Sequence, residues 1–328
     1  MATDSADLTL VQAVRDGLHD GMARDEDVVV MGQDVGKNGG VFRATEGLYE
    51  EFGEGRVIDT PLAESGIVGT AVGMAAYGLR PVPEIQFLGF IYPGFDQIVS
   101  HAARLRTRSR GRYTCPMVIR APYGGGIRAP EHHSESTEAF FVHQPGLKVV
   151  VPSTPYDTKG LLTSAIRDPD PVIFLEPKLI YRAFREEVPN EPYEIPLGEA
   201  TVRREGGDIS VYTWGAMTRP TLEATADLEG EVDVEVVDLR TLSPLDEETI
   251  VESFKRTGRA AVVHEAPKTG GLAGEIVATI QEEALLYQKA PIKRITGFDT
   301  PFPPYALEEY YLPGPARITA GIREAVGF

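Results

Sequence analysis

The sequence predicts an α/β protein with two domains, each built on a mainly parallel β-sheet. Short runs of consecutive apolar residues, such as Val28-Val29-Val30-Met31, are typical of strands that are buried on both faces of a parallel sheet. These runs alternate with segments of helical periodicity, as βαβ units require. A Pro- and Glu-rich segment at 184–196 interrupts the pattern once, and 328 residues are enough for two domains.

The first predicted domain covers residues 1–185. Apolar residues recur at helical spacing from Leu8 to Ala23, which predicts an amphipathic helix. Further helices are expected at 45–52, within 59–78, at 95–106 and at 154–166. Apolar runs predict strands at 27–31, 56–59, 80–87, 116–120, 147–151 and 172–175.

A linker is expected at 186–198, because this region has no apolar period, and a second α/β domain at 199–328. Strands of the second domain are expected at 209–213, 234–239 and 260–264. Its helices are expected at 246–257, 274–286 and 317–326.

The net charge of −17 is spread along the chain and makes nucleic acid and anionic membrane surfaces unlikely partners. The one cysteine, Cys115, cannot form an internal disulfide, which favours a reducing compartment. The N-terminus has no signal-peptide pattern, and the apolar run around 67–79 is too short to span a bilayer, so we expect a cytoplasmic protein. An acidic surface with few lysines fits a high-salt cytoplasm, and a GC-rich genome would give the same bias towards arginine.

The segment from Asp59 to Gly78 contains the first candidate site. Gly66, Gly69 and Gly73 recur at helical spacing, although each glycine costs a helix roughly 1 kcal/mol relative to alanine. Three such residues predict that this helix packs closely against another one, across a subunit or domain seam. Ser65 is expected to be its N-cap.

Glu64, next to this apolar segment, has two interpretations. At the edge of an apolar seam, desolvation would raise the affinity of the carboxylate for a proton, as a catalytic acid requires. Alternatively, it is a solvated acid in the first turn, where the helix dipole favours negative charge. The residue pattern alone leaves both interpretations open.

Two other motifs lie in the loop 121–136. Gly124, Gly126 and Ala129 fit the dinucleotide pattern G-x-G-x-x-A, but no helix is expected to open directly after them, so NAD binding is not indicated. Adjacent His132 and His133 lack further ligands at zinc-site spacing, which argues against a metal site. The remaining interpretations are a catalytic imidazole on a mobile loop and a polar surface loop.

Several stretches of the chain together resemble one known family. They are Met31-Gly32-Gln33-Asp34-Val35, Gly39-Gly40-Val41-Phe42, Asp59 to Gly69, Glu84-Ile85-Gln86-Phe87, Phe95-Asp96-Gln97-Ile98, His133-Ser134-Glu135-Ser136, Pro145 to Val150 and Thr300-Pro301-Phe302-Pro303. From about Leu8 to the C-terminus, the chain resembles the β subunit of a 2-oxo acid dehydrogenase E1 component, a family that uses thiamine diphosphate.

The resemblance implies a thiamine pyrimidine-binding domain at 1–185 and a transketolase-type C-terminal domain at 199–328. Glu64 would hydrogen-bond N1′ of the cofactor's aminopyrimidine, with Phe90 packed on the pyrimidine ring and Ile67 beside them. His133 would be the catalytic histidine that assists acyl transfer, and His132 would have a supporting role at most. For Phe90, an ordinary place in the core is the alternative.

The resemblance also implies a structural potassium ion. Backbone carbonyls near Met117 and Val118 and the turn that contains Ala165, Asp168 and Asp170 would hold it, because carboxylate and carbonyl oxygens suit hard cations. The alternative is a plain Asp-Pro turn.

The chain contains no Gly-Asp-Gly motif, which this cofactor class uses to hold Mg²⁺ and pyrophosphate. The resemblance therefore implies half a site, completed by an E1 α subunit in an α2β2 heterotetramer. The implied reaction is the oxidative decarboxylation of pyruvate or a branched-chain 2-oxo acid, with acyl transfer to lipoyl-E2. The alternatives are an acetoin dehydrogenase β subunit and a non-catalytic E2-docking subunit.

Overall fold

A computed structural model describes residues 4–328 of the chain. In the first part of the chain the strands are β1 (Ser5–Leu8), β2 (Val28–Gly32), β3 (Val57–Asp59), β4 (Arg80–Glu84), β5 (Val118–Tyr123), β6 (Lys148–Val150), β7 (Val172–Pro177) and β8 (Glu186–Pro189). The helices there are α1 (Leu10–Arg24), α2 (Leu48–Phe52), α3 (Glu64–Tyr77), α4 (Leu105–Arg108), α5 (Glu138–Val142) and α6 (Pro155–Arg167).

The rest of the chain adds six strands and five helices, apart from short 3₁₀ turns. The strands are β9 (Thr201–Arg204), β10 (Ile209–Thr213), β11 (Val234–Asp238), β12 (Thr241–Ser243), β13 (Ala260–Val263) and β14 (Lys293–Ile295). The helices are α7 (Thr218–Ala226), α8 (Glu247–Thr257), α9 (Ala273–Ala284), α10 (Glu308–Tyr311) and α11 (Pro315–Val326).

The larger sheet has seven strands in the order β12-β6-β7-β5-β4-β2-β3. All neighbours in it are parallel except β12, which comes from beyond residue 200 and pairs antiparallel with β6. The carboxyl ends of the parallel strands therefore lie along one edge, where α/β proteins commonly bind ligands.

The second sheet has the order β14-β13-β10-β11-β9, and only its edge strand β9 is antiparallel. A separate two-stranded ribbon joins β1 to β8. Its register, from Ser5 opposite Pro189 to Leu8 opposite Glu186, ties the start of the chain to the region between the two sheets.

Small residues allow close packing on one face of the larger sheet. A Cβ atom at Gly17 would lie 3.2 Å from Leu162, and one at Gly21 would lie 2.9 Å from Ile166. Helix α1 therefore approaches α6 with its glycine face, and both bury their apolar sides over the sheet.

Three central strands of the larger sheet are joined by a buried ionic network. The Arg120 guanidinium on β5 donates to Glu84 Oε2 on β4 (2.8 Å) and to Glu176 Oε1 and Oε2 on β7 (2.6 and 3.0 Å). The Tyr181 hydroxyl also donates to Glu176. Burial raises the pKa of Glu84, and the positive charge of Arg120 opposes this shift.

The structure corrects several expectations for individual elements. The first helix begins at Leu10, after Thr9 in a capping box with Gln12, and Leu8 belongs to β1 instead. The helix expected at 95–106 is irregular, with a π-helical turn at Gln97–His101 before α4. The segment expected to be a linker contains β8, and helix α7 and the short strands β9, β12 and β14 were not predicted. The domain boundaries themselves stay a prediction.

Within residues 4–328, no helix is both long enough and apolar enough to cross a membrane.

Candidate active site

Helix α3 positions the first predicted site residue. Strand β3 ends at Asp59, and α3 begins at Glu64 after the N-cap Ala63, which has no side-chain hydrogen bond to the helix. The expectation that Ser65 is the N-cap is therefore wrong: this residue lies inside the first turn. Glu64 is half-buried, and within residues 4–328 its carboxylate has no hydrogen-bond donor.

Ile67 follows Glu64 by three residues, so the two side chains share one side of α3. Ile67 is 4% exposed and packs in the same apolar cluster as Val68 and Ile91. The site thus has an apolar wall beside a carboxylate that is free to bond a ligand.

The glycine stripe of α3 lies largely open. A Cβ atom at Gly73 would meet nothing within 4 Å, and one at Gly66 would meet only Ala63. Gly69 alone contacts another segment, with Gln97 Oε1 at 3.3 Å from its ideal Cβ position. The expected close packing is not made within the described chain, and a subunit seam at this stripe stays a prediction.

Phe90 lies in a 3₁₀ turn, Leu88–Phe90, at the carboxyl end of β4. The next turn, Tyr92–Gly94, is pressed against the start of α3, since a Cβ atom at Gly94 would lie 3.1 Å from the Glu64 carbonyl oxygen. The turn that carries Phe90 and the helix that carries Glu64 are therefore held together.

The loop 124–137 carries His133 to Phe90. The two rings meet edge to face with 4.9 Å between their centroids, and the Phe87 ring lies 4.4 Å from the imidazole. His133 Nδ1 is 2.7 Å from the Glu131 carbonyl oxygen. Because a carbonyl can only accept, Nδ1 carries the proton in this contact and Nε2 is left to take up or release a proton. His132 is exposed and has a left-handed backbone with φ of 64°.

Two aromatic residues that were given no role by sequence reasoning complete this cluster. Phe87 packs against both Phe90 (5.6 Å) and Phe42 (5.4 Å), and Lys178 Nζ lies 5.7 Å from the centre of the Phe87 ring. Both phenylalanines lie in stretches that carry the family resemblance, which was the available signal. We refer to Phe42, Phe87, Phe90 and His133 as the aromatic cluster.

The base of the His133 loop is clamped by charged residues from other parts of the fold. Gly124 N–H donates to the Glu135 carbonyl (2.9 Å), which closes the loop on itself. Gly125 N–H donates to Glu265 Oε2 (2.8 Å), and the Lys178 ammonium donates to the Gly124 carbonyl. Glu265 lies 140 residues from Gly125 in the chain, so sequence spacing could not reveal this clamp.

Burial dominates the electrostatics of the clamp. Desolvation raises the pKa of Glu265, and the Gly125 N–H and the Lys178 charge oppose the shift. Desolvation also lowers the pKa of Lys178 to about 8. Nearby Glu138, at the start of α5, has its pKa raised to about 7 by burial, and the Glu265 charge adds to the rise.

The glycine-rich motif 124–129 does not form a dinucleotide site. The chain continues as a loop through Pro130 and His133, and the next helix, α5, begins only at Glu138. The backbone amide of Gly125 is already bonded to Glu265, so no helix N-terminus is presented to a pyrophosphate.

Comparison with known proteins decides the family. The family described as "Transketolase, pyrimidine binding domain" matches residues 6–183, and "Transketolase, C-terminal domain" matches residues 198–318. The "Pyruvate dehydrogenase E1 component subunit beta" of Acholeplasma laidlawii is 54% identical over 97% of both chains. The protein of the same name from Bacillus subtilis (strain 168) is 53% identical over 98% of this chain and 100% of its own.

The chain belongs to the family of 2-oxo acid dehydrogenase E1 β subunits. A solved structure, "Split gene transketolase, inactive beta4 tetramer", has a TM-score of 0.79 over 98% of this chain and 99% of its own. At 23% sequence identity this likeness shows the fold alone. The predicted fold class, two parallel-sheet α/β domains of transketolase type, is confirmed.

The residues expected to hold potassium in an E1 β subunit lie together, but their side chains are occupied. Asp168 Oδ2 pairs with the Lys148 ammonium, and Asp170 Oδ1 accepts from Arg106 Nε at 2.6 Å. Among residues 4–328 no cluster of three or more His, Cys, Asp or Glu side chains is arranged to hold a metal ion. The two carboxylates do not fit as ligands in this arrangement.

Only backbone carbonyls remain for such an ion. The Ala165 carbonyl accepts from Asp168 N–H (3.2 Å), and the Met117 carbonyl accepts from Val172 N–H (3.0 Å), next to Val118 at the start of β5. A carbonyl oxygen has a second lone pair, so potassium binding here stays a prediction that rests on the backbone.

Proposed function

We propose that the chain is the catalytic β subunit of a pyruvate or branched-chain 2-oxo acid dehydrogenase E1, which transfers the acyl group to lipoyl-E2. The observation that carries the proposal is the contact of the His133 imidazole with Phe90, at 4.9 Å, beside the start of α3. It supports a site in which the His133 imidazole, a group able to transfer protons, lies next to the apolar surface proposed to bind the cofactor. The similarity to pyruvate dehydrogenase E1 β subunits favours pyruvate over branched-chain substrates.

The residues present fit the aminopyrimidine half of thiamine diphosphate. Glu64 offers a carboxylate without an internal hydrogen bond, which suits N1′ of the ring, and Phe90 and Ile67 offer apolar surface. When bound, the cofactor supplies the electron sink for loss of CO₂. Mg²⁺ and the pyrophosphate would be held by the E1 α subunit.

The roles of the chain's own groups follow from their positions. Glu64 would hold the proton shared with N1′ and thereby orient the pyrimidine. His133 would give or take a proton at Nε2 during acyl transfer, with its ring fixed by the Nδ1–H bond to Glu131 and by the aromatic cluster. Phe87 and Phe90 would exclude water from this wall.

Two partners belong to the proposal. The exposed glycine stripe of α3 supports contact with another subunit, which we take to be part of an α2β2 heterotetramer with E1 α, and lipoyl-E2 would be the acyl acceptor. The cytoplasmic location stays a prediction from the single cysteine.

The test uses Glu64→Gln and His133→Ala, each assembled with the E1 α subunit and assayed for decarboxylation and for acylation of lipoyl-E2. Glu64→Gln should abolish both reactions, and His133→Ala should mainly lower acylation. Ser65→Ala and His132→Ala are the matched controls, because each is an exposed neighbour in the same segment. Normal decarboxylation and acylation by both Glu64→Gln and His133→Ala would refute the proposal.

Two other functions share these motifs. An acetoin dehydrogenase β subunit would release products from acetoin and not from 2-oxo acids, which product analysis of the assembled enzyme distinguishes. A non-catalytic E2-docking subunit would bind E2 equally well with Glu64→Gln and His133→Ala and would show no activity with any α subunit.

A further inference from the structure

A cavity of about 550 Å³ beside the backbone of Phe42, a member of the aromatic cluster, carries a concentration of positive charge. Its lining comes from the start of α1, the loop after β2 and the segment before β8. Four arginines and one glutamate line it: Arg15, Arg43, Arg182, Arg185 and Glu46. The chain as a whole has a net charge of −17, so this lining is opposite in sign to the rest of the molecule.

Three of these guanidinium groups lack a carboxylate partner. Arg15 pairs with Asp16 at 2.8 Å, but within residues 4–328 no Asp or Glu oxygen lies within 4 Å of a guanidinium nitrogen of Arg43, Arg182 or Arg185. Elsewhere in this part of the chain some arginines are neutralised, as Arg106 is by Asp170 and Arg80 by Asp25. Concentrating unpaired like charges in one cavity is unfavourable unless an anion compensates them.

The three arginines are nevertheless held in place by neutral acceptors. Arg182 Nη2 donates to the Phe42 carbonyl (2.7 Å), and Arg185 Nη1 donates to the Asp7 carbonyl (2.7 Å). Arg43, whose backbone is left-handed with φ of 65°, donates to the Asn38 carbonyl. Each guanidinium has five N–H donors, so most of them remain available to a ligand.

A neutral donor also lines the cavity. The carbonyl oxygen of the Gln12 side chain accepts from Thr9 N–H (3.0 Å) and from Arg185 (3.2 Å). Its amide nitrogen has no acceptor within residues 4–328. The cavity thus offers planar guanidinium forks and an amide donor, with few competing acceptors.

We infer that this arginine cavity binds a small polyanion, a molecule with a phosphate group or with adjacent carboxylates. Guanidinium forks match carboxylate and phosphate oxygens in a bidentate manner. The volume is that of a small-molecule site, and the concave shape concentrates the field of the unpaired charges. The lining residues have no role in the proposed catalysis, although Arg182 bonds the backbone of Phe42 in the aromatic cluster. Binding is therefore measured directly and not through activity, so that the two proposals are tested separately.

The experiment is a calorimetric titration of the chain with inorganic pyrophosphate and with citrate. It is done at about 0.03 M salt and again at about 0.3 M salt, where the Debye length is roughly threefold shorter. We expect binding of at least one probe, weaker at high salt, and at least tenfold weaker in Arg182→Gln and in Arg185→Gln. Arg112→Gln is the matched control, because Arg112 is an exposed arginine that does not line the cavity. Binding of pyrophosphate alone would identify a phosphate ligand, and binding of citrate alone a polycarboxylate.

Three results would overturn the inference: no binding of either probe, equal binding by Arg182→Gln and the parent chain, or an equal loss in Arg112→Gln. The titration is repeated on the assembly with E1 α saturated with thiamine diphosphate and Mg²⁺. Binding that persists there supports a small ligand. Binding that disappears means that acidic side chains of the partner fill the cavity, which contradicts a small-molecule site. Melting curves of each variant exclude loss of the fold as the cause.

Discussion

Gly89 is the residue whose substitution tests the placement of His133 most sharply. A Cβ atom at this position would lie 2.0 Å from the His132 carbonyl oxygen and 3.0 Å from Glu135 Cγ. The first distance is roughly 1.4 Å shorter than the ~3.4 Å at which ordinary van der Waals contact begins. Because the clash is with backbone, Gly89→Ala must move the loop that carries His133 or the turn that carries Phe90.

The size of the effect follows from that displacement. A misplacement of about 1 Å can cost a reaction roughly 10²-fold. We therefore expect Gly89→Ala, assembled with E1 α, to lower acylation of lipoyl-E2 by about 10²-fold. Thiamine diphosphate binding should change little where the loop moves, because Glu64 and Ile67 lie on α3. It should weaken where the turn moves instead, because that turn carries Phe90.

The assay compares acylation of lipoyl-E2 with decarboxylation measured with an artificial electron acceptor. Gly274→Ala is the control, because a Cβ atom there meets nothing within 4 Å and the residue lies in helix α9. Calorimetric melting tests whether the variant is folded. If Gly89→Ala acylated lipoyl-E2 at a rate within twofold of the parent enzyme, the position of the His133 loop would not matter for acyl transfer, and the reasoning would be refuted.

Three further predictions concern buried charges. Arg120→Met leaves Glu84 and Glu176 buried without their cation, so it should lower the free energy of unfolding in urea at pH 7 by about 3–5 kcal/mol. Arg323→Met, which removes an exposed ion pair, should lower it by at most ~1 kcal/mol. Equal losses in the two variants would contradict this prediction. Burial raises the pKa of Glu138 in the folded state from 4.5 to about 7. Between these two pH values the folded state holds a proton on Glu138 that the unfolded state has lost. The free energy of unfolding therefore falls by roughly 3 kcal/mol as the pH rises from 4.5 to 7. Glu138→Gln should flatten that fall in unfolding curves, and an unchanged pH profile would be evidence against it. Glu265→Ala removes the acceptor of the Gly125 N–H and should speed proteolytic cleavage within 124–137 several-fold. Glu265→Gln retains an acceptor, so its cleavage rate should lie between those of the parent chain and Glu265→Ala. Identical cleavage rates in all three proteins would show that Glu265 does not hold the loop.

The elements that could be predicted are those with a strong local pattern. The apolar runs of β2 and β10 were found almost to the residue, because strands buried on both faces need continuous apolar residues. Helix α8 was found because Asp246 caps it and its apolar spacing is regular. Helix α7 was missed because it is rich in threonine and contains Pro220, which weakens the helical signal.

Other features depend on contacts between distant parts of the chain. Strand β12 has only three residues, and it is a strand because it pairs with β6 at the edge of the larger sheet. The Ser65 prediction failed because the chain enters α3 two residues earlier than capping preference suggests. No local pattern indicates that Glu265 reaches Gly125, or that four arginines from three segments line one cavity.

The candidate site was accessible from the sequence only through the family resemblance. Glu64 by itself fitted a solvated first-turn acid equally well, and His133 fitted a surface loop. The structure brings His133 to Phe90 and holds the turn that follows Phe90 against the start of α3. The sequence neighbours of these residues do not predict either contact. For potassium, the resemblance proposed Asp168 and Asp170, and their ion pairs with Lys148 and Arg106 depend on side chains from other segments.

The most direct test of the central claim is a calorimetric titration with Mg²⁺–thiamine diphosphate of the chain alone, of the chain with its E1 α subunit, and of Glu64→Gln with the same subunit. We predict binding only in the assembly, and clearly weaker binding with Glu64→Gln, because under the proposal this chain supplies only the pyrimidine half of the site. Tight binding to the chain alone, or equal binding by Glu64→Gln in the assembly, would contradict it.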